Sequence, residues 1–326
     1  MQIPRLDTPP LFAALAGARN VLIAGAGGGF DVYAGLPLAF ALSDDSGRDS
    51  GTRVHLANLS FTPLEHLPLE AWDAENVAVV EPDTPGPADY FPERTLARWL
   101  HANDLAGTVY AFPRVGVVPL RAAYRHLVQK LDLDAIVLVD GGTDILMRGD
   151  ESGLGTPEED MTSLAAVAGL DEVATKLVTC LGFGIDAYHG VNHSQVLENI
   201  AALDRDGAYL GALSIPSGSA AATLYRAAVE DARAATPLRP SIVNGQIAAA
   251  VAGGFGDVRF TERTSGSTLF VNPLMAVYFS FTVEGLAKRS LYLDRLARTH
   301  GMGQVALLIA AFRAEVEHRP ARAFPH

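Results

Sequence analysis

The sequence predicts an α/β fold built on a doubly wound, mostly parallel sheet, with helices on both faces and a helical elaboration at its C-terminal end. Three observations carry this. Short β-branched runs bounded by glycine alternate with Ala- and Leu-rich amphipathic stretches, the signature of βα units feeding a parallel sheet. The runs are nearly continuous in apolar residues rather than alternating, as expected of strands covered on both faces. Finally, 49% hydrophobic against 19% charged residues in a chain of 326 supplies a large core and excludes intrinsic disorder.

In chain order, strands are expected at 21–24, 54–59, 77–80, 108–112, 135–139, 177–181 and 209–215. Helices are expected at 92–102, 120–131, 157–167, 194–203, 220–235, 242–252 and 305–318. Polar, Pro- or Gly-rich segments at 44–52 and 82–92 read as surface loops. From 257 onward the pattern changes to short strands, 258–260 and 269–271, and then long helices. The chain therefore reads as one domain over 1–326, with 257–326 an elaboration that packs on the sheet or on a second subunit. The apolar stretches 274–281 and 305–312 are the basis for expecting a homo-oligomer.

Composition narrows the function classes. A net charge of -12 opposes binding to nucleic acid or anionic lipid, which is driven by Lys and Arg. No apolar run is long enough to span a bilayer, and the prolines at 4, 9 and 10 interrupt any signal-like stretch. The single cysteine, Cys180, permits neither an internal disulfide nor a thiolate zinc site, and it sits in an expected strand as a small apolar residue. A cytoplasmic enzyme or binding protein with a small-molecule ligand is the expectation.

In a parallel sheet the ligand lies beyond the carboxyl ends of the strands, so the polar residues after each strand are the site candidates. The first group is VLIAGAGGGFDV, where Gly25, Gly27, Gly28 and Gly29 lead into Asp31. Such a turn suits phosphate, ribose or carboxylate held by backbone amides, or a tight turn without ligand. It departs from a dinucleotide fingerprint, whose third glycine would fall at Phe30.

The second group is the densest in the chain: Asp140, Gly141, Gly142, Thr143, Asp144, Arg148, Asp150 and Glu151 in succession. Charges this dense after a buried strand require water, a metal or a ligand to compensate them. The acids just beyond, in TPEED, have a structural reading. Thr156 and Glu159 form a capping box around Pro157, so Glu158 and Glu159 are assigned to the helix start. Asp140, Asp144 and Asp150 have no such role.

The third group is Asp186, His189 and His193 after the strand at 177–181. The histidines share a face only if 189–193 is helical, whereas a helix start at Ser194 places Asn192 or His193 at its cap. Ser217, Gly218 and Ser219 form a further anion site or simply cap the helix at 220.

GAGGGFDV, VDGGTDILMRGDESGLGTPEEDMTSLAAV and RTSGSTLFVNPLMAVYF together resemble the DUF1152 family, a group defined as a domain of unknown function. The resemblance implies a Rossmann-like α/β fold and carries no reaction with it.

The expected function is therefore an enzyme, hydrolase-like or lyase-like, acting on a small polar metabolite that carries phosphate, carboxylate or ribose. Asp144, His189 and His193 are its acid/base candidates, with a divalent cation such as Mg²⁺ or Zn²⁺ assisting. The alternatives are an oxidoreductase or methyltransferase with NAD(P) or S-adenosylmethionine on the glycine loop, and a metabolite-binding protein without turnover.

Overall fold

A computed structural model describes residues 8–43 and 51–323. Most of the polar segment expected as a loop at 44–52, and the first seven residues, lie outside the described residues. Nine strands form one sheet: β1 (Asn20–Gly25), β2 (Arg53–Leu59), β3 (Trp72–Ala74), β4 (Val77–Val80), β5 (Val109–Phe112), β6 (Ala135–Asp140), β7 (Thr175–Cys180), β8 (Tyr209–Ser214) and β9 (Val277–Thr282). Their order is β3-β4-β5-β2-β1-β6-β7-β9-β8.

The central five, β5-β2-β1-β6-β7, are parallel neighbours. Only β4 and β9 run against the rest. With twelve α-helices among the described residues, this is a mixed α/β fold on a mostly parallel sheet.

Successive side chains of a strand point to opposite faces, and both faces are buried. On one side Leu22 and Ala24 of β1 join a core with the helices Val117–Leu131, Pro157–Ala168, His193–Arg205 and Met302–Glu315. On the other, Val21 and Ile23 join the helices Leu36–Ser43, Pro92–Ala102, Ala220–Ala235 and Ile242–Val251. Each fully buried Leu or Ile contributes about 2 kcal/mol of transfer free energy, so continuous apolar strands fix the layering.

Several expectations need correction. Residues 258–260 and 269–271 are not strands; the one bridge nearby pairs Val271 with Gly256, just before the first of the two segments. The Asp257 carboxylate pairs with Arg259 and accepts from the Leu269 N–H, so side-chain contacts replace a ladder there. The C-terminal region also does more than add helices. The run VYFSFT is β-branched and aromatic, favours a pleated buried surface, and forms β9 between β7 and β8.

Tyr278, Phe279 and Phe281 are thereby buried in the chain's own core, as are Val305, Ile309 and Phe312 of the helix Met302–Glu315. The helices Asp31–Ala34 and Leu36–Ser43, and the short β3, had no periodic signal and were not anticipated. No helix among the described residues is long and apolar enough to cross a membrane.

Strand order also separates the loops that follow β1 and β6. From β1 the sheet extends to β2 and β5 on one side and to β6 and β7 on the other. The chain leaving β1 enters the helix Asp31–Ala34 on one face of the sheet, and the chain leaving β6 leads to Pro157–Ala168 on the other.

Candidate metal centre

Asp31 stands at the start of the short helix after β1, Asp140 is the last residue of β6, and Asp160 lies in the first turn of Pro157–Ala168. That helix is docked onto the β1 loop by the Ser163 hydroxyl, which donates to the Ala26 carbonyl at 2.8 Å. One oxygen from each of the three carboxylates lies within 4.8 Å of the other two. Asp140 and Asp160 are buried and Asp31 is half-buried.

Asp144 and Asp186 flank the trio. The Thr156 N–H and hydroxyl donate to Asp144 Oδ2 at 2.8 and 3.3 Å. Asp186 Oδ2 accepts from the Thr143 N–H at 2.7 Å and from its hydroxyl at 3.4 Å. Among the described residues, Asp140 has one long contact, from the Ile145 N–H at 3.4 Å. Asp160 Oδ1 is buried and has no hydrogen-bond partner among the described residues.

Among the described residues, no Lys or Arg forms an ion pair with any of these five aspartates. Their acidity reflects this. Burial raises Asp31 to about 7, with the neighbouring Asp144 charge adding to the effect and the Gly27 N–H opposing it. Burial, then the other carboxylates, pushes Asp140 and Asp160 far above the ordinary range. Asp186 rises for the same two reasons, and Asp144 rises by burial against the opposing Thr156 bonds. Buried carboxylates this close cannot all ionise without a compensating cation.

The glycines explain how the acids come so close. The Gly27 N–H donates to Asp31 Oδ2 at 2.7 Å, and the Gly29 N–H donates to the Leu59 carbonyl. The loop thus spends one amide on its own carboxylate and another on β2, rather than offering both to an outside anion. A Cβ on Gly27 would lie 2.6 Å from Asp31 Oδ2 and 2.9 Å from Asp160 Oδ1. Gly141 and Gly142 make the same allowance for Asp31 and Asp186, at 2.9 and 2.7 Å. Gly25 sits against Asn58, whose amide donates to the Gly29 carbonyl and to the buried Glu93.

Other candidates fall elsewhere. Arg148, Asp150 and Glu151 form an internal ion-pair network with Arg319. Ser219 caps its helix by accepting from the Ala222 N–H, while Ser217 and Gly218 are exposed; no contact among the described residues links them to the acids. His189 is exposed at the end of Ile185–His189, where its charge acts on Asp144. His193 opens the next helix, half-buried against Phe183, and burial lowers its pKa. Gly190 lies between the histidines with φ 88°, so they share no helical face. Cys180 is buried, and its thiol is pushed up by that burial.

The capping box does not form, because Thr156 is bound to Asp144 and Glu159 reaches outward to Arg114. Asp160 is the main residue that sequence reasoning missed, since an acid in a first helical turn already had a structural role. Phe61, Arg114 and Tyr90 were missed as well. Phe61 and Arg114 each stand within two residues of a strand's carboxyl end, so the rule applied to β1, β6 and β7 would have found them on β2 and β5.

Two surface clefts lie apart from this centre, one of about 390 Å³ beside Pro82 and His101 and one of about 330 Å³ beside Phe40 and His55. Neither is lined by the clustered acids.

No curated protein and no solved structure matches the chain. A family described as "Protein of unknown function (DUF1152)" matches residues 62–317. That span takes in Asp140, Asp144, Asp160 and Asp186, while Asp31 and its glycine loop precede it. With most of its length inside that match, the chain belongs to the DUF1152 family.

Proposed function

We propose that this protein is an enzyme that holds a hard divalent cation between Asp31, Asp140 and Asp160 and acts on a small polar metabolite bearing phosphate, carboxylate or ribose. On this reading the sheet works as a doubly wound, Rossmann-like one, with its ligand where strand order reverses between β1 and β6. The observation that carries it is the Asp160 Oδ1 atom, buried without a partner, beside two further carboxylates that no cation offsets. Such a group is costly unless something occupies the space.

An all-oxygen donor set suits Mg²⁺, Mn²⁺ or Ca²⁺ better than Zn²⁺. A cation here would polarise a bound phosphoryl or carbonyl oxygen and acidify a bound water. On this reading His189, exposed and close enough to act electrostatically on Asp144, is the group that would move a proton. Hydrolase-like or lyase-like chemistry fits these parts. NAD(P) or S-adenosylmethionine fits them less well. Two amides of the glycine loop are occupied, so the loop offers few donors to cradle a dinucleotide's pyrophosphate or the S-adenosylmethionine carboxylate.

The test is Mn²⁺ binding followed by electron paramagnetic resonance, with Mg²⁺ and Ca²⁺ as competitors. The expected result is one saturable site in the wild type that is lost in D160N. Absence of binding at millimolar metal would overturn the reading.

A further inference from the structure

The rim of the proposed metal centre carries side chains that a bare phosphate or a simple sugar phosphate would leave unused. Phe61 comes just after β2, is 46% exposed, and lies against the glycine loop that leads to Asp31. The ring is held in place. It lies over Gly28, which has φ 91° and whose Cβ would fall 2.6 Å from Phe61 Cε1. The Arg114 guanidinium sits 5.2 Å from the ring centroid, anchored by its ion pair with Glu159, the neighbour of Asp160.

Tyr90 approaches from the other side. A Cβ on Gly29 would lie 3.1 Å from the Tyr90 hydroxyl and 3.3 Å from Phe61 Cδ2, so two aromatic side chains converge on one residue that has no side chain. Arg239, exposed, stands 5.8 Å from the Tyr90 ring. Positive charge thus borders an otherwise negative centre, next to aromatic surface and within a few residues of Asp31.

Resting on the metal reading, we infer that the metabolite is a nucleotide: a phosphate ester of a nucleoside, its phosphate on the cation at Asp31, Asp140 and Asp160 and its base stacked on Phe61. Stacking on an aromatic ring tolerates any base, since each presents a π-face. Arginines beside the rings complement phosphate charge and can themselves stack on a base. The two positive-φ glycines allow the aromatic platform and the carboxylates to share one loop.

The test uses full-length protein and reads two quantities in order. Mn²⁺ binding is measured first, without nucleotide. The Mn²⁺-loaded protein is then titrated with adenosine 5′-monophosphate, ribose 5-phosphate and inorganic phosphate. The nucleotide is expected to bind about tenfold or more tighter than ribose 5-phosphate, the difference one stacked base makes. That preference should collapse in Phe61→Ala and Phe61→Leu and persist in Phe61→Trp, with Mn²⁺ affinity unchanged throughout.

Equal binding of nucleotide and ribose 5-phosphate by the loaded wild type would overturn the nucleotide inference and leave the metal reading standing. So would a preference that survives in both Phe61→Ala and Phe61→Leu. Failure to bind Mn²⁺ at the first step would overturn both.

Discussion

Two acidic clusters lie beyond β6, and they are opposites. Asp150 and Glu151 are as buried as Asp140 and Asp160, with Glu151 0% and Asp160 2% exposed. Yet every charge in the first cluster is answered. Arg148 grips Asp150 through two nitrogens at 2.9 and 2.6 Å, Arg319 bridges Asp150, Glu151 and Glu198, and Asn199 donates to Glu151 at 2.7 Å. Accordingly Asp150 titrates below its ordinary range, as its bonds to Arg148 and Arg319 outweigh burial, while Asp140 and Asp160 are pushed above it. One cluster ties the loop after β6 to the chain near Arg319. The other is left short of positive charge. Density of acids says little; what answers them separates scaffold from site.

The comparison can be broken most sharply by exchanging the consequences. Asp140→Asn and Asp160→Asn should each lower Mn²⁺ affinity by about a hundredfold or more, since a ligand is lost outright, while raising the melting temperature of the metal-free protein. In the paired cluster, Arg319→Ala should cost about 3 kcal/mol of stability by leaving Glu151 and Asp150 short of a partner, with Mn²⁺ affinity unchanged. Calorimetric titration and denaturant melts on the same samples read both halves. If Arg319→Ala weakened metal binding as much as Asp160→Asn, the two clusters would be one functional unit.

Acidity sharpens the contrast next. Asp31 and Glu93 are both raised by burial to about 7, from ordinary values of 3.8 and 4.5. In the folded chain each keeps a proton that the unfolded chain has already released. The metal-free protein should therefore lose stability as pH rises from about 4 to about 7. Metal affinity should rise over the same window, because the cation must displace the proton that Asp31 keeps. Glu93→Gln removes one of these contributions and should stabilise the metal-free protein at pH 8 by about 3 kcal/mol, the rise from 4.5 to about 7 taken at 1.36 kcal/mol per pH unit. Stability measured in urea at pH 5 and pH 8 checks it; a flat wild-type profile would contradict the assignment.

The smallest effect belongs to His189→Ala. The residue is exposed, so stability should change by less than about 0.5 kcal/mol. Mn²⁺ affinity should stay within a few-fold, with any consequence confined to proton transfer once a substrate is in hand. A large loss of stability would move His189 from the site to the scaffold.

Much of this was legible in the chain itself. Nearly continuous apolar runs gave β1, β2, β4, β6 and β7 close to their observed bounds, and the helices Pro92–Ala102 and Ala220–Ala235 begin and end where their periodicity does. Looking beyond strand ends found Asp31, Asp140, Asp144 and Asp186. What stayed hidden was partnership over long separations. Nothing near Asp150 announces Arg319, 169 residues away. Nothing in PEED says that Glu159 turns out to Arg114 while Asp160 turns in to Gly27. β9 was obscured because a six-residue apolar run looks the same in a helix and in a buried strand.

The place of β9 has a further consequence. β8 meets the sheet only through β9, so when residues 209–214 leave the ribosome their hydrogen-bonding neighbour has not yet been made. The growing chain can lay down β1 to β7 in turn, but it must hold β8 in waiting until residue 282 emerges. Closure of that edge is a late, long-range and therefore slow event in the protein's birth.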